Sequence, residues 1–383
     1  MIVLQYTMLE QYGIKKLYDE NSGPMVVVGL SGGVDSSVSA YILKWQGYRV
    51  IGLFMRNWEE KDGDGFCTSE ADFTDAKRVA EQIGIPYYSV NFSKQYMDNV
   101  FAQFLRGLGA GFTPNPDILC NREIKFGPFL DYANKIGAEY IATGHYCRVQ
   151  NGQLMRGLDE TKDQSYFLCG LSREQLSRVI FPVGGLKKTA VREIAEQLGL
   201  STAKKKDSTG ICFIGERKFR DFLKTYFGNQ PGVIKTLDGV TVGTHTGLMY
   251  YTIGQRKGLG IGGRSTSAGG KSCDNTSSVD MRWFVVAKDI PNNTLIVNNG
   301  ECDELFTNQL TAIDFNFMAE LPKTCTAKTR YRQPDQECIV TTDGKDVIVK
   351  FKNPQRAVTP GQWVVLYNGD MCLGGGQIKE TSR

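Results

Sequence analysis

The sequence predicts an α/β chain: a parallel, Rossmann-like sheet first, then a small β-rich connecting domain, then a C-terminal antiparallel β-barrel. Three observations lead there. Through the first half, β-branched runs alternate with helical periodicity, the pattern that builds a parallel sheet. After Pro231 the texture changes to short β segments separated by Pro-Gly, Asp-Gly and Asn-Gly turns. The chain's 383 residues also exceed the roughly 250–300 at which a single core stops growing. The expected segments are 1–215, 216–282 and 283–383.

Residues 1–24 are a lead-in ending at Gly23-Pro24. Val26, Val27 and Val28 suit a buried strand, and Val38, Tyr41, Ile42 and Trp45 recur at helical spacing. The turn between them holds Gly29, Leu30, Ser31, Gly32, Gly33, Val34, Asp35 and Ser36. Its glycines let backbone N–H groups approach an anion where the helix dipole is positive, and Ser36 and Ser37 add hydroxyls. The lysine of G-x-x-x-x-G-K-[ST] is absent. S-G-G-x-D-S instead resembles the pyrophosphate loop of enzymes that adenylate an oxygen and release pyrophosphate.

A second strand from Tyr48 ends at Met55, on the sheet edge where ligands of such folds bind. A helix over Ala71 to Ile83 and a strand over Pro86 to Asn91 follow. Next come a helix from Met97 to Leu105, the string Thr113-Pro-Asn-Pro-Asp-Ile-Leu-Cys-Asn121, and a helix from Lys125 to Lys135. The strand from Tyr140 runs into Gly144-His145 at the same edge, so Gly144 should approach a nucleotide. Further on lie Lys162-Asp163-Gln164, a helix over Val191 to Leu200, and Asp207-Ser-Thr-Gly-Ile-Cys212. Three hairpins are assigned to the barrel: Phe284 to Val297 across Asn292-Asn293, Cys338 to Val349 across Asp343-Gly344, and Trp363 to Met371 across Asn368-Gly369.

A net charge of +4 excludes a polybasic nucleic-acid coat, so any RNA site must be local. No signal peptide and no apolar run long enough for a membrane span is present. The ten cysteines form no C-x-x-C pair and only two histidines exist, which argues against zinc or a clustered iron–sulfur site. The expectation is a reducing cytosol, with most cysteines buried and a few reactive.

Asn115-Pro-Asp-Ile-Leu-Cys-Asn121, Asp207-Ser-Thr-Gly-Ile-Cys-Phe-Ile-Gly215, Ala357-Val-Thr-Pro-Gly-Gln362 and Cys372-Leu-Gly-Gly-Gly376 are long, uncommon strings. With the loop at Gly29 they span nearly the whole chain. They resemble the bacterial tRNA-specific 2-thiouridylases, members of the pyrophosphate-loop ATP pyrophosphatases, which replace the C2 oxygen of the wobble uridine by sulfur. That chemistry suits the residues. A uracil carbonyl oxygen leaves poorly until ATP adenylates it, and cysteine can both carry and displace sulfur.

The resemblance implies Cys120 as nucleophile and Cys212 as persulfide carrier, with a Cys120–Cys212 disulfide left after turnover. It implies ATP, with magnesium accompanying the nucleotide, held by the loop together with Met55 and Gly144. Asp117 is assigned acid–base duty, its bland alternative being a helix cap before Ile118. Asn115, Pro116 and Asp117 would shape the pocket for a uridine taken out of its stack. His145, Lys162, Asp163, Gln164, Arg330, Tyr331 and Gln362 are expected at tRNA. The sulfur would come from a persulfide-donating carrier or a cysteine desulfurase. No metal-ligand set is visible, and Asp35 is the nearest carboxylate to a nucleotide-bound ion. The rival readings are an enzyme that uses the same loop to activate an acceptor for nitrogen, and a non-catalytic RNA-binding module that senses ATP.

Overall fold

A computed structural model describes residues 8–58, 68–207, 219–262 and 282–383. Its first sheet is wholly parallel. It is built from β1 (Met25–Gly29), β2 (Arg49–Arg56), β3 (Tyr87–Asn91), β4 (Tyr140–Ala142) and β7 (Val179–Ile180), in the order β3-β2-β1-β4-β7. Strand order reverses between β1 and β4, and ligands of open α/β sheets bind at the carboxyl ends beside such a reversal. Both expected nucleotide segments, the turn after β1 and Gly144 after β4, lie there.

The helices are α1 (Val34–Trp45), α2 (Thr68–Ile83), α3 (Ser93–Tyr96), α4 (Ala102–Gly109), α5 (Pro116–Cys120), α6 (Pro128–Lys135), α7 (Arg173–Ser177), α8 (Lys188–Gln197) and α9 (Phe219–Phe227). A π-helical turn at Met97–Phe101 joins α3 to α4, and another at Asn121–Lys125 follows α5. Two apolar layers sandwich the sheet. Val26, Val28, Val38, Leu43 and Ile194 pack on one face, and Val27, Leu53, Phe129 and Ile141 on the other.

The hairpin of β10 (Trp283–Asp289) and β11 (Thr294–Asn299) departs from the expected barrel assignment. With β8 (Gly232–Thr236) and β9 (Thr241–His245) it forms a separate sheet, ordered β10-β11-β8-β9, in which β11 runs parallel to β8. The connecting unit therefore runs past the expected boundary at 282 to about Asn299.

The barrel closes with six strands: β12 (Phe306–Phe317), β13 (Thr324–Lys328), β14 (Gln336–Asp343), β15 (Asp346–Arg356), β16 (Trp363–Asn368) and β17 (Met371–Ser382), the β12–β17 pairing completing the ring. A hairpin of the first segment, β5 (Cys147–Gln150) and β6 (Gln153–Arg156), extends this sheet where Met155 pairs with Met371. The first segment and the barrel thus share a continuous sheet. No helix among the described residues is long and apolar enough to cross a membrane.

Candidate active site

The turn after β1 is held by its own hydroxyls. Ser31 N donates to Ser36 Oγ at 3.2 Å, and the Ser36 and Ser37 hydroxyls donate to Gly33 O at 3.0 and 2.8 Å. No side chain caps Gly33 at the start of α1, so the first-turn N–H groups are available to an anion. Gly32 has φ +72°, and a Cβ there would lie 2.4 Å from Asp72 O, so only glycine fits. Met55 packs over Gly29, its Cε 3.2 Å from where a Cβ would stand. A Cβ on Gly144 would lie 2.7 Å from Ser36 N and 2.8 Å from Asp35 C. Gly144 therefore serves the site by letting the β4 turn close onto the loop backbone.

Asp35 sits at the centre of a charge network. Lys188 Nζ reaches both its oxygens, at 2.7 and 2.8 Å, and Tyr146 Oη donates to it at 2.6 Å. The same Lys188 pairs with Asp207 at 2.8 Å, and Asp207 also takes Lys162 at 2.8 Å and Arg192 at 2.6 Å. Partial burial works against the Asp207 carboxylate, but the hydrogen bonds from Lys162 and Lys188 prevail and hold it well below the usual carboxylate range. With its oxygens engaged, Asp35 is not a vacant metal ligand, which corrects its reading as the nearest carboxylate for an ion. Among the described residues no cluster of His, Cys, Asp and Glu could cage a metal. The described residues therefore offer no ready-made cage for magnesium.

The second centre is α5. Asn115 Oδ1 accepts from Asp117 N at 3.1 Å and Ile118 N at 3.3 Å, and Pro116 occupies the first turn, where its missing N–H costs nothing. The cap is therefore Asn115, and the Asp117 side chain is left for other work. Three residues on, Cys120 shares its side of the helix and is buried. Burial pushes the Asp117 carboxyl up, and the Lys125 ammonium opposes that shift. Lys125, at the end of the π-helical turn, supplies the cation that a carboxylate near a thiolate requires.

His145 departs from expectation. It is 9% exposed, its Nδ1 lies 2.8 Å from Thr143 Oγ1, and its ring faces Phe126 and Phe181. Burial, aided by Lys125, keeps it neutral. It forms an inner wall beside Asp117 and Lys125 and is not an exposed RNA contact.

The other residues expected at tRNA are engaged within the chain. Asp163 is buried, accepting from Gly157 N, Ser165 N and Ser165 Oγ. That leaves no carboxylate edge for a base, so its expected RNA contact is replaced by a backbone anchor. Gln164 clamps Tyr146, accepting from its N at 3.0 Å while Gln164 N donates to Tyr146 O. Lys162 is tied to Asp207. Arg330 is exposed and donates to Ala357 O, while the Tyr331 ring lies 4.5 Å from Phe167. Gln362 Nε2 donates to Thr113 O at 2.6 Å, and Thr113 N donates to Pro360 O at 3.0 Å. The barrel's Pro-Gly turn thus grips the entrance to α5.

Cys212 lies outside the described residues. Asp207, the last described residue before it, is fastened to the nucleotide loop through Lys188. Sequence reading missed Lys188, Tyr146, Arg192 and Lys125. One signal was present: Lys187-Lys188 opens a helix where the dipole disfavours cations, and no side chain caps Lys187. A lysine placed against local preference is worth reading as functional.

Residues 24–216 match the family described as the tRNA methyl transferase HUP domain, residues 220–299 its PRC-barrel domain, and residues 307–378 the aminomethyltransferase β-barrel domain. The tRNA-specific 2-thiouridylase MnmA of Streptococcus sanguinis is 56% identical over 94% of this chain and 96% of its own length. That of Streptococcus agalactiae serotype III is 55% identical over 95% and 97%. Among solved structures, the U34-tRNA thiolase NcsA of Methanococcus maripaludis aligns over 59% of this chain and 74% of its own, at 19% identity and a TM-score of 0.37.

Proposed function

Because the chain belongs to the tRNA-specific 2-thiouridylase family, we propose that it is an ATP-dependent tRNA sulfurtransferase that thiolates C2 of the wobble uridine. The observation that carries this reading is Lys188. It joins Asp35 of the phosphate loop to Asp207, five residues before Cys212 in the sequence, and so ties the loop proposed to hold ATP to the start of the segment that bears the proposed sulfur carrier.

The sequence of events follows from the groups present. The uridine, out of its stack, enters beside Asn115, Pro116 and Asp117, and its C2 oxygen attacks the α-phosphorus of ATP. Pyrophosphate leaves into the loop of Ser31 to Ser37, where first-turn N–H groups and hydroxyls receive it. The terminal sulfur of a Cys212 persulfide, or the hydrosulfide that Cys120 thiolate displaces from it by attack on the inner sulfur, attacks C2, and AMP departs with the former carbonyl oxygen. Cys120 thiolate takes up the remaining Cys212 sulfur, so that the S–S bond breaks and a Cys120–Cys212 disulfide remains for an external thiol to reduce. Asp117, its carboxyl pKa raised by burial, passes the proton that leaves the thiol or enters the base. A persulfide carrier or cysteine desulfurase reloads Cys212, magnesium arrives with the nucleotide, and no step runs through a protein-held metal. Arg330 and Tyr331 at the barrel, with Lys162, Gln164 and Gln362, line the approach of the anticodon nucleotides.

The test is mass spectrometry of nucleosides from tRNA incubated with the protein, ATP, Mg²⁺ and sulfide or a persulfide donor. The reading expects an oxygen-to-sulfur mass gain on the wobble uridine that requires ATP. ATP consumption with no thiolated nucleoside would transfer the assignment to an acceptor-activating enzyme of nitrogen chemistry.

A further inference from the structure

Two cysteines outside the proposed catalytic pair face each other across the barrel hairpin of β13 and β14. Cys325 and Cys338 are direct cross-strand partners, with sulfurs 3.7 Å apart. Cys338 is buried in the barrel core and Cys325 is partly exposed. An open pocket of about 510 Å³ adjoins them, walled also by Glu337, Lys350, Phe351 and Lys352. We propose that Cys325 and Cys338 form a redox-active dithiol that hydroperoxides convert reversibly to a cross-strand disulfide.

The register supports both formation and reversal of that bond. Val340 N donates to Lys323 O, which makes Lys323 and Val340 a hydrogen-bonded pair. Two residues along, Cys325 and Cys338 form the next such pair, with Cα atoms about 5.5 Å apart. That lies inside the roughly 4.4–6.8 Å spanned by disulfides. The Cβ atoms of hydrogen-bonded pairs, however, sit toward the wide end of roughly 4.5–5.5 Å, whereas a relaxed bridge wants about 3.5–4.5 Å. A bridge here forms without breaking the hairpin, but it is strained and hence readily reduced.

Access and reactivity are divided between the two sulfurs. The contact with Cys338 holds the Cys325 thiol below its usual pKa, while the same contact and burial push Cys338 up. Cys325 thiolate therefore attacks a peroxide oxygen: an S–O bond forms, the O–O bond breaks, and hydroxide or alkoxide leaves. Cys338 sulfur then displaces the sulfenic oxygen as water, which carries off the Cys338 proton. Two electrons pass from the sulfur pair to the peroxide. The hairpin carries Arg330 and Tyr331 in its connecting loop, so the bridge would form at the root of that loop.

Trypsin should separate Thr324–Lys328 from Gln333–Lys345, each with a single cysteine, so their linkage is unambiguous. Hydrogen peroxide treatment of the full chain, alkylation of remaining thiols and peptide mapping should yield these two peptides joined, and millimolar glutathione should release them. Cys325→Ser should abolish the joined species. As an independent readout, phenylarsine oxide should bind a Cys120→Ser, Cys212→Ser variant at one equivalent and lose that binding on further Cys325→Ser replacement. Oxidation of Cys325 without linkage to Cys338, or arsenical binding that ignores Cys325, would overturn the proposal. Neither readout depends on tRNA thiolation.

Discussion

Lys188 holds two carboxylates that would otherwise repel each other, since both Asp35 and Asp207 lie within 2.8 Å of one ammonium that is only 12% exposed. Lys188→Met leaves those charges facing each other. A fully buried pair so broken costs about 3–5 kcal/mol. Asp35 and Asp207 retain 30% and 31% of their side-chain exposure, so water screens part of the loss and about 1–3 kcal/mol is expected. Urea unfolding should show this, together with at least tenfold weaker ATP binding by calorimetry. Unchanged nucleotide affinity would remove Lys188 from the loop's function. Asp117 behaves in the opposite sense. Its folded pKa is raised by burial, so its contribution to stability is complete below the unfolded value of about 3.9 and is lost as pH rises through the folded value. Asp117→Asn should accordingly raise the urea midpoint at neutral pH while lowering single-turnover thiolation by about 10²–10⁴-fold. A variant that loses stability and keeps turnover would return Asp117 to a structural role.

At the scale of elements, α5 shows what sequence reading can and cannot reach. Cap chemistry is local there, yet the cap considered was Asp117, and the fold gives that role to Asn115, with Pro116 in the first turn. What holds α5 in place was not legible. Thr113 is bonded by Pro360 O and Gln362, roughly 250 positions away, and such partners leave no local trace. Gln362 has the chemistry of an RNA contact, and its bond to Thr113 O is a second role that only folding reveals. Gln362→Ala removes a bond to Thr113 O and should slow thiolation several-fold, with protection of the Thr113–Cys120 amides in hydrogen exchange falling while protection within β1 is unchanged. Uniform protection with weakened tRNA binding would restore Gln362 to the RNA alone. The hairpin at Asn292-Asn293 is a parallel case. Its turn was read correctly, but its partner β8 lies some 60 residues earlier, so the hairpin was given to the wrong sheet. The parallel sheet was legible through β1, β2 and β3, each an apolar run with a helix after it, whereas β4 runs into the β5–β6 hairpin and the two residues of β7 are too few to show a period. The β5–β6 extension of the barrel depends on a single crossing at Met155 and Met371, and nothing within Cys147 to Arg156 announces it.

Across the whole molecule, the loop that delivers α5 is gripped from two sides. The barrel holds Thr113, and from the connecting unit Lys288 Nζ donates to Gly111 O at 3.1 Å. Burial lowers the Lys288 pKa to about 8, against about 10.4 in an unfolded chain. The sign follows from proton counting. Between about pH 8 and 10.4 the unfolded state binds the extra proton, so stability from this group rises with pH across that window; below it the full cost of the desolvated ammonium applies. That cost is about 3 kcal/mol from the size of the shift, and the bond to Gly111 O is what the ammonium gains against it. Lys288→Met keeps the apolar stem and removes the titration. The difference in unfolding free energy between the two proteins should therefore be largest near pH 7, favouring the methionine variant, and shrink toward pH 10. If instead the variant is less stable at pH 7 and the difference is flat with pH, the bond to Gly111 outweighs desolvation and Lys288 acts as a clamp alone. In either case thiolation should suffer in the variant, because the loop before Cys120 loses one of the two domains that hold it.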